Sequence, residues 1–324
     1  MTGLDDIKKP VQKEMADFND RFKESIASNI PLVNVVTRYV LRRKGKQMRP
    51  MFVFLSSKMT GGITESTYTA ASLIELMHTA TLVHDDVVDD SNERRGAFSV
   101  KAIWRSKVAV LFGDYLLAQG LLLAVRNKEY DLLEIISNSS REMSEGELLQ
   151  IQKSRSLNIN MDTYYDVIRM KTATLIASCT ASGAKAAGVD QEVVDRMYDI
   201  GIQIGMAFQI KDDLFDYQPQ GPIGKPTGND IKEKKFTLPL IYALNQSDPG
   251  ERKSIIRKIK NGNRNPHVLA EIISYVDRMG GIEYAREKML EYKNAALAGL
   301  DSFPPSEARQ SLKDLVEFTV SRRK

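Results

Sequence analysis

The chain is poor in residues that build crosslinks and soft metal sites: its 324 residues include one cysteine, Cys179, and three histidines, His78, His84 and His267. A single thiol excludes an intramolecular disulfide and fits a reducing compartment. Too few thiolates and imidazoles remain for a zinc site. No long basic run occurs and the formal net charge is only +4, so nucleic acid is not an expected partner. The segment Met1 to Lys9 is charged and has no apolar centre, so no signal peptide is expected. The most apolar stretch, Val108 to Val125, is interrupted by Asp114 and Gln119. It grazes the length of a membrane span but reads as a buried core helix. These features point to the cytoplasm.

Alternating strand-like patterns are almost missing as well, which leaves an all-α class. Helical spacing runs from end to end. Leu4, Ile7, Val11, Met15, Phe18, Phe22 and Ile26 step by three and four residues, and Pro31 restarts the chain. Further helices are expected over 51–60, 65–90, 107–126, 129–152, 162–187 and 190–217. The pattern continues at 236–246, 250–260, 266–278, 281–300 and 305–321. Gly61-Gly62, Arg95-Gly96, Gly188 and the segment Pro219 to Gly228 interrupt it, but none has the length or composition of a linker. A single helical domain over 1–324 is the simplest organisation, and 42% hydrophobic residues suffice for its core.

Two copies of Asp-Asp-x-x-Asp interrupt these apolar helices: Asp85-Asp86-Val87-Val88-Asp89 and Asp212-Asp213-Leu214-Phe215-Asp216. Leu82 and Val83 precede the first, and Ala207, Phe208 and Ile210 precede the second. A solvated charge run normally sits among other polar residues, so one copy would mean little and two in apolar settings mean more. On a helix the first and last Asp of each motif share a face one turn apart and repel. Cations would relieve that repulsion. Oxygen-only ligands suit Mg²⁺, which binds through one or two carboxylates plus substrate phosphates. Two such clusters facing each other would clamp a diphosphate.

Cations accompany the carboxylates. Lys46 and Arg49 enter a helix expected to start near Pro50, where free amides favour an anion. Arg94-Arg95-Gly96 follows the first Asp cluster, and Arg forks match phosphate oxygens bidentately. Either pair alone would read as an ordinary solvated charge. Lys171-Thr172 lies among Met170, Ala173 and Leu175, which suggests a partly desolvated ammonium. Gln209 stands one helical turn before the second cluster, and His78 stands seven residues before Asp85. A lone helix histidine is more often a satisfied core residue. His84-Asp85 resembles a metal-hydrolase pair, but the further histidines such a site needs are missing. The loop at 218–235 carries Lys225, Lys232, Lys234 and Lys235 beside the second cluster, a composition suited to an active-site lid.

In this order the motifs resemble the trans-isoprenyl diphosphate synthase, or polyprenyl synthetase, family. The match runs through Gly45-Lys46-x-x-Arg49-Pro50, His78, the first Asp cluster, Arg94-Arg95-Gly96, Gly146-Glu147, Lys171-Thr172, Phe208-Gln209, the second Asp cluster, Gly224-Lys225 and Asp230 to Lys235. The resemblance implies a bundle of long antiparallel helices around a central cavity, usually a homodimer. It implies Mg²⁺ on Asp85, Asp89 and Asp212, with Asp86, Asp213 and Asp216 completing two acidic walls. It assigns Arg94, Lys171, Gln209, Lys225 and Lys235 to an allylic diphosphate, and Lys46, Arg49, His78 and Arg95 to isopentenyl diphosphate. Lys171, Thr172 and Gln209 would stabilise the carbocation formed when the allylic C–O bond ionises.

Product length is expected to depend on residues that precede the first cluster on the same helix face and line the cavity floor: Thr81 and Ala80 at four and five before Asp85, then Met77 and Ile74. Short-chain members of the family carry large aromatics at the first two positions. Both are small here, which favours a medium or long chain such as a quinone tail precursor, with a short-chain synthase as the alternative. A class I terpene cyclase would normally lack the Lys46/Arg49 and Arg94/Arg95 pairs. A head-to-head synthase would not need the former. A non-catalytic subunit typically has one Asp cluster eroded, and both are intact. The terminal Arg322-Arg323-Lys324 reads either as a helix end complementing its dipole or as a cover for the isopentenyl diphosphate site.

Overall fold

Apolar residues recurring every three or four positions wind almost the whole chain into helices. The computed structural model describes residues 3–42, 45–94, 96–156, 160–217, 228–262 and 265–321. In chain order these form α1 (Leu4–Lys8), α2 (Gln12–Ser25), α3 (Pro31–Leu41), α4 (Met48–Thr60), α5 (Glu65–Val88), α6 (Val100–Arg126), α7 (Tyr130–Ser156) and α8 (Met161–Ile168). A π-turn at Arg169–Ala173 leads into α9 (Thr174–Ala186) and α10 (Gln191–Phe215). Then follow α11 (Asn229–Lys232), α12 (Leu238–Gln246), α13 (Pro249–Gly262), α14 (Pro266–Arg278), α15 (Gly281–Asp301) and α16 (Glu307–Ser321). Among the described residues the only strands are β1 (Glu93–Arg94) and β2 (Ala97–Phe98), paired antiparallel with Arg94 opposite Ala97. The all-α class holds.

Two compact units share the chain. The first comprises Met1–Ser140, Ile176–Asp199 and Leu300–Leu315; the second comprises Arg141–Leu175, Ile200–Gly299 and Val316–Lys324. The chain passes from one to the other within α7, α9, α10, α15 and α16, never in a loop.

In the first unit α5 starts at a capping box, in which the Thr64 and Thr67 side chains satisfy each other's backbone N–H groups. Ala70, Leu73, Ile74, Leu76, Met77, Ala80 and Val83 are buried around most of its circumference, which makes it an interior helix. Helix α6 lies along it, burying Ala109, Phe112, Gly113, Leu116, Gly120 and Ala124. The small residues in that stripe let the two backbones approach.

The other side of α6 departs from the expected core helix. Leu111, Leu121, Leu122 and Val125 are exposed, Leu111 to 59%. The helix is apolar on more of its surface than its neighbours in the described chain cover. By length and composition it is the one described helix that would suffice to cross a membrane. A short helical segment, capped where Ser99 accepts from Ala102 N, opens α6 and ends at a break at Arg105 (φ 74, ψ 162); the long helix runs on from there, at the expected position near 107. Helix α4 starts at Met48, near Pro50 as expected.

The second unit packs Tyr164, Ile210, Leu214, Tyr217, Phe236, Leu240, Ile272 and Val276 into one core. The interruption at Arg169–Ala173 was not anticipated within the expected helix 162–187. Gly146 of α7 and Gly205 of α10 abut it: a Cβ on Gly146 would lie 2.8 Å from Met170 Cβ, and one on Gly205 would lie 2.3 Å from Ala173 Cα. Both helices therefore touch the π-turn backbone, and they do so where Lys171 and Thr172 sit.

Candidate active site

Both Asp motifs lie at helix C-termini. Asp85 and Asp86 occupy the last turn of α5, and Asp89 is its cap residue, its N–H bonded to the Asp85 carbonyl at 2.8 Å. Asp212 and Asp213 occupy the last turn of α10, and Asp216 follows it. Neither last turn contains a basic residue. Carboxylates at the negative end of a helix dipole cost about 0.3–1 kcal/mol each when exposed. The placement is unfavourable without a cation.

In the first unit a cleft of about 830 Å³, counting its open mouth, runs along α5. Glu75, His78, Thr79, Leu82, Val83 and Asp86 line it from one helix face, opposite Tyr39, Gln47, Arg94 and Phe98. The β1–β2 hairpin turns the chain back so that Arg94 Nε donates to Asp86 Oδ1 at 2.6 Å. Asp86 is only 3% exposed, so this ion pair neutralises a buried carboxylate. Asp85 is half-buried and Asp89 exposed. His84, beside Asp85, docks onto α6. Its Nε2 lies 3.2 Å from the Val110 carbonyl and 3.4 Å from Asp114 Oδ1. A Cβ on Gly113 would come within 2.2 Å of that nitrogen, so the ring occupies a notch only glycine leaves open.

In the second unit a cleft of about 640 Å³ is lined by Gln150, Tyr164, Lys171, Thr172, Gln209, Asp213, Asp230 and Lys235, among others. Thr172 Oγ1 donates to Gln209 Oε1 at 2.7 Å, and Gln209 Nε2 donates to Asp213 Oδ1 at 2.9 Å. Tyr164 donates to the other oxygen, Oδ2, at 2.7 Å. No cation neutralises Asp213 in this network. Burial, with the Asp230 and Asp212 charges adding to it, pushes its carboxyl up to about 8 despite the two hydrogen bonds. Burial likewise pushes Asp230 up to about 6, with the Asp216 charge contributing. Asp216 caps the next element: its two oxygens accept from Asn229 N at 2.8 Å and Asp230 N at 2.9 Å.

Comparison with known proteins decides the family. Residues 30–276 match the family model described as polyprenyl synthetase. The chain belongs to that family. It is 36% identical over 320 residues to the all-trans-nonaprenyl-diphosphate synthase (geranyl-diphosphate specific) of Rhodobacter capsulatus, covering 98% of this chain and 97% of the other. The crystal structure of a polyprenyl synthase from Caulobacter crescentus CB15, complexed with calcium and isoprenyl diphosphate, superposes with a TM-score of 0.90. It has 32% identity and covers 99% of this chain and 98% of that one. A geranylgeranyl pyrophosphate synthase from Bacteroides thetaiotaomicron gives 0.83 with 38% identity, covering 98% of each chain. The chain is therefore a prenyltransferase with the isoprenoid synthase fold.

The two clefts divide the residues expected to bind the two diphosphates. Lys171, Gln209 and Lys235 line the second. Arg94, expected with them, lines the first together with His78, because the hairpin folds it onto Asp86. Lys46 is exposed and Arg49 half-buried; Gly45 and Gln47, not these two, line the first cleft. Arg95, Lys225 and Arg322 to Lys324 lie outside the described residues, as does most of the expected lid. Lys171 is half-buried, in keeping with a partly desolvated ammonium, and it forms an ion pair with Glu147.

Ala80, expected to share a face with Asp85, does not. Five residues of helix turn it about 140° away, and it is fully buried. Thr81 and Ile74 lie closer to the Asp85 face, with Met77 between; Thr81 donates to the His78 carbonyl at 2.9 Å. Tyr164 escaped notice in the sequence. Its position two helical turns before Lys171 is the signal that could have revealed it.

Proposed function

We propose that the chain condenses isopentenyl diphosphate head to tail with an allylic diphosphate, in a Mg²⁺-dependent reaction, to a medium- or long-chain trans-polyprenyl diphosphate used for a quinone side chain. The carrying observation is the pair of acidic motifs at helix C-termini, each beside a cleft that also holds cations. Among the described residues no three His, Cys, Asp or Glu side chains converge to hold a metal by themselves. That fits a cation bound through one or two carboxylates and completed by substrate phosphates. Asp85, Asp89 and Asp212 are the ligands we assign to it. When bound, Mg²⁺ would neutralise charge building on the departing diphosphate.

The second cleft takes the allylic diphosphate, with Lys171 and Lys235 as its cations. Gln209, oriented by Thr172, presents a fixed dipole beside the ionising bond and, with Thr172 and Lys171, favours departure of the diphosphate. The first cleft takes isopentenyl diphosphate against His78 and Arg94, and Lys46, Arg49 and Arg95 are the further cations assigned to that substrate. Its double bond attacks the allylic cation, and a proton leaves to the released diphosphate. Asp86, Asp213 and Asp216 keep these walls in place through Arg94, Tyr164 and the start of α11.

The small Thr81 supports a long product, since an aromatic there would block growth along the Asp85 face. We further propose that the two units work as one domain, because every crossing lies within a helix. The exposed apolar face of α6 supports a homodimer. The enzyme would be cytoplasmic, touching membrane when it releases its lipid product.

Incubation with Mg²⁺, isopentenyl diphosphate and a panel of allylic primers tests the reading through the carbon number of the product. A fifteen- or twenty-carbon end product would replace the long-chain assignment with the short-chain one, and no condensation with any primer would favour a non-catalytic subunit. Thr81→Phe should shorten the product more than Ala80→Phe does.

A further inference from the structure

The cations of the second cleft already have carboxylate partners. Lys171 pairs with Glu147 of α7, with Gln150 Oε1 3.5 Å from the same ammonium. Lys235 Nζ lies 2.6 Å from Glu233 Oε2. Neither glutamate belongs to an Asp motif, and neither lines the cleft itself. Gly146 explains how Glu147 reaches Lys171: the missing side chain lets α7 touch the π-turn at Met170 and Lys171 N. The pairing is thus built into the backbone packing.

We infer that Glu147 and Glu233 are resident counter-ions, holding Lys171 and Lys235 in place in the empty site and competing with diphosphate for them. The inference rests on the second cleft binding an allylic diphosphate. Both pairs are partly exposed, with 36% and 27% of the Lys171 and Glu147 side chains accessible. Pairs of that exposure are weak. A polyanion with several acceptor oxygens can displace such a carboxylate, and the carboxylate can recapture the lysine as the diphosphate product leaves. Glu147 is on this account a positioning residue whose charge limits diphosphate affinity and aids release.

Removing the charge while keeping the shape should therefore tighten binding. Calorimetric titration of the full chain with inorganic diphosphate and Mg²⁺ should give about two- to fivefold tighter binding for Glu147→Gln than for wild type. Steady-state assays should show the KM for the allylic substrate falling by a similar factor while kcat does not rise. Glu147→Asp, which restores the charge, should return both values towards wild type, and Glu233→Gln should tighten binding like Glu147→Gln. Unchanged or weaker binding in Glu147→Gln, with its melting temperature preserved, would overturn the inference and make the glutamate a simple scaffold for Lys171. An aspartate variant behaving like the glutamine variant would also overturn it, since packing rather than charge would then be responsible. Wild-type protein that takes up no diphosphate would remove the assignment of the cleft, and the counter-ion role with it.

Discussion

The two Asp-Asp-x-x-Asp motifs are identical in pattern and opposite in electrostatics. In the first, the central Asp86 is buried and neutralised by Arg94 at 2.6 Å. In the second, the equivalent Asp213 is buried as deeply but, among the described residues, accepts from the neutral donors Tyr164 and Gln209, and its carboxyl is pushed up to about 8. A charge partner makes one carboxylate a fixed strut. Its absence leaves the other sensitive to protons and cations. A shared motif therefore fixes ligand type and spacing, while the packing around the middle residue fixes its charge state.

The largest test concerns what the motifs have in common. Asp85→Ala and Asp212→Ala should each reduce kcat about a thousandfold or more, with unchanged helical circular dichroism, since each removes a proposed metal ligand and no core contact. Near-normal turnover in either variant would leave only one functional cluster.

Stability should then separate the motifs. Asp86→Asn strands the Arg94 guanidinium and should cost about 1–2 kcal/mol, discounted because Arg94 is one-third exposed. Asp213→Asn removes a carboxylate that burial disfavours, so at pH 9 the ligand-free protein should melt at the same temperature or higher. Equal destabilisation in both would erase the contrast.

The pH dependence follows from the sign of the shifts. Burial pushes Asp213 up to about 8 and Asp230 up to about 6, above the ordinary aspartate value of 3.8. The folded protein therefore holds these protons more tightly than the unfolded chain. Their contribution is fully present below about pH 4 and is lost as pH rises through 6 and then 8. Melting temperature measured without metal should fall between pH 6 and pH 9, and the upper part of that fall should disappear in Asp213→Asn. A flat profile would mean that water or a counter-ion reaches Asp213.

The smallest effect is expected from Tyr164→Phe. Loss of a donor to the ionised carboxylate should move the upper end of that fall to higher pH and cost about 1 kcal/mol at pH 9. No shift would make the 2.7 Å bond to Asp213 incidental.

Helices and ligand chemistry were legible because both depend on local spacing. Apolar steps of three and four gave most of the helix positions, and the paired aspartates gave an oxygen-ligand site. The short segment that Ser99 caps was not legible because a break at Arg105 separates it from the apolar repeat of the long helix. The π-turn was missed because Met170 and its neighbours read as continuous helix. Gly146 and Gly205 abut that turn from elements distant in sequence. The exposed side of α6 was read as core because hydropathy does not tell how many neighbours a helix has.

By itself the sequence determined the all-α class, the two acidic motifs, the cations that accompany them and the family they belong to. Each is a matter of residue type and local order. Only tertiary structure decided that Asp86 is neutralised and Asp213 is not, that His84 fits the notch at Gly113, and that Glu147 meets Lys171. Charge state and side-chain orientation depend on which distant residues are packed within a few ångströms, and burial strengthens every such interaction. No spacing along the chain contains that information.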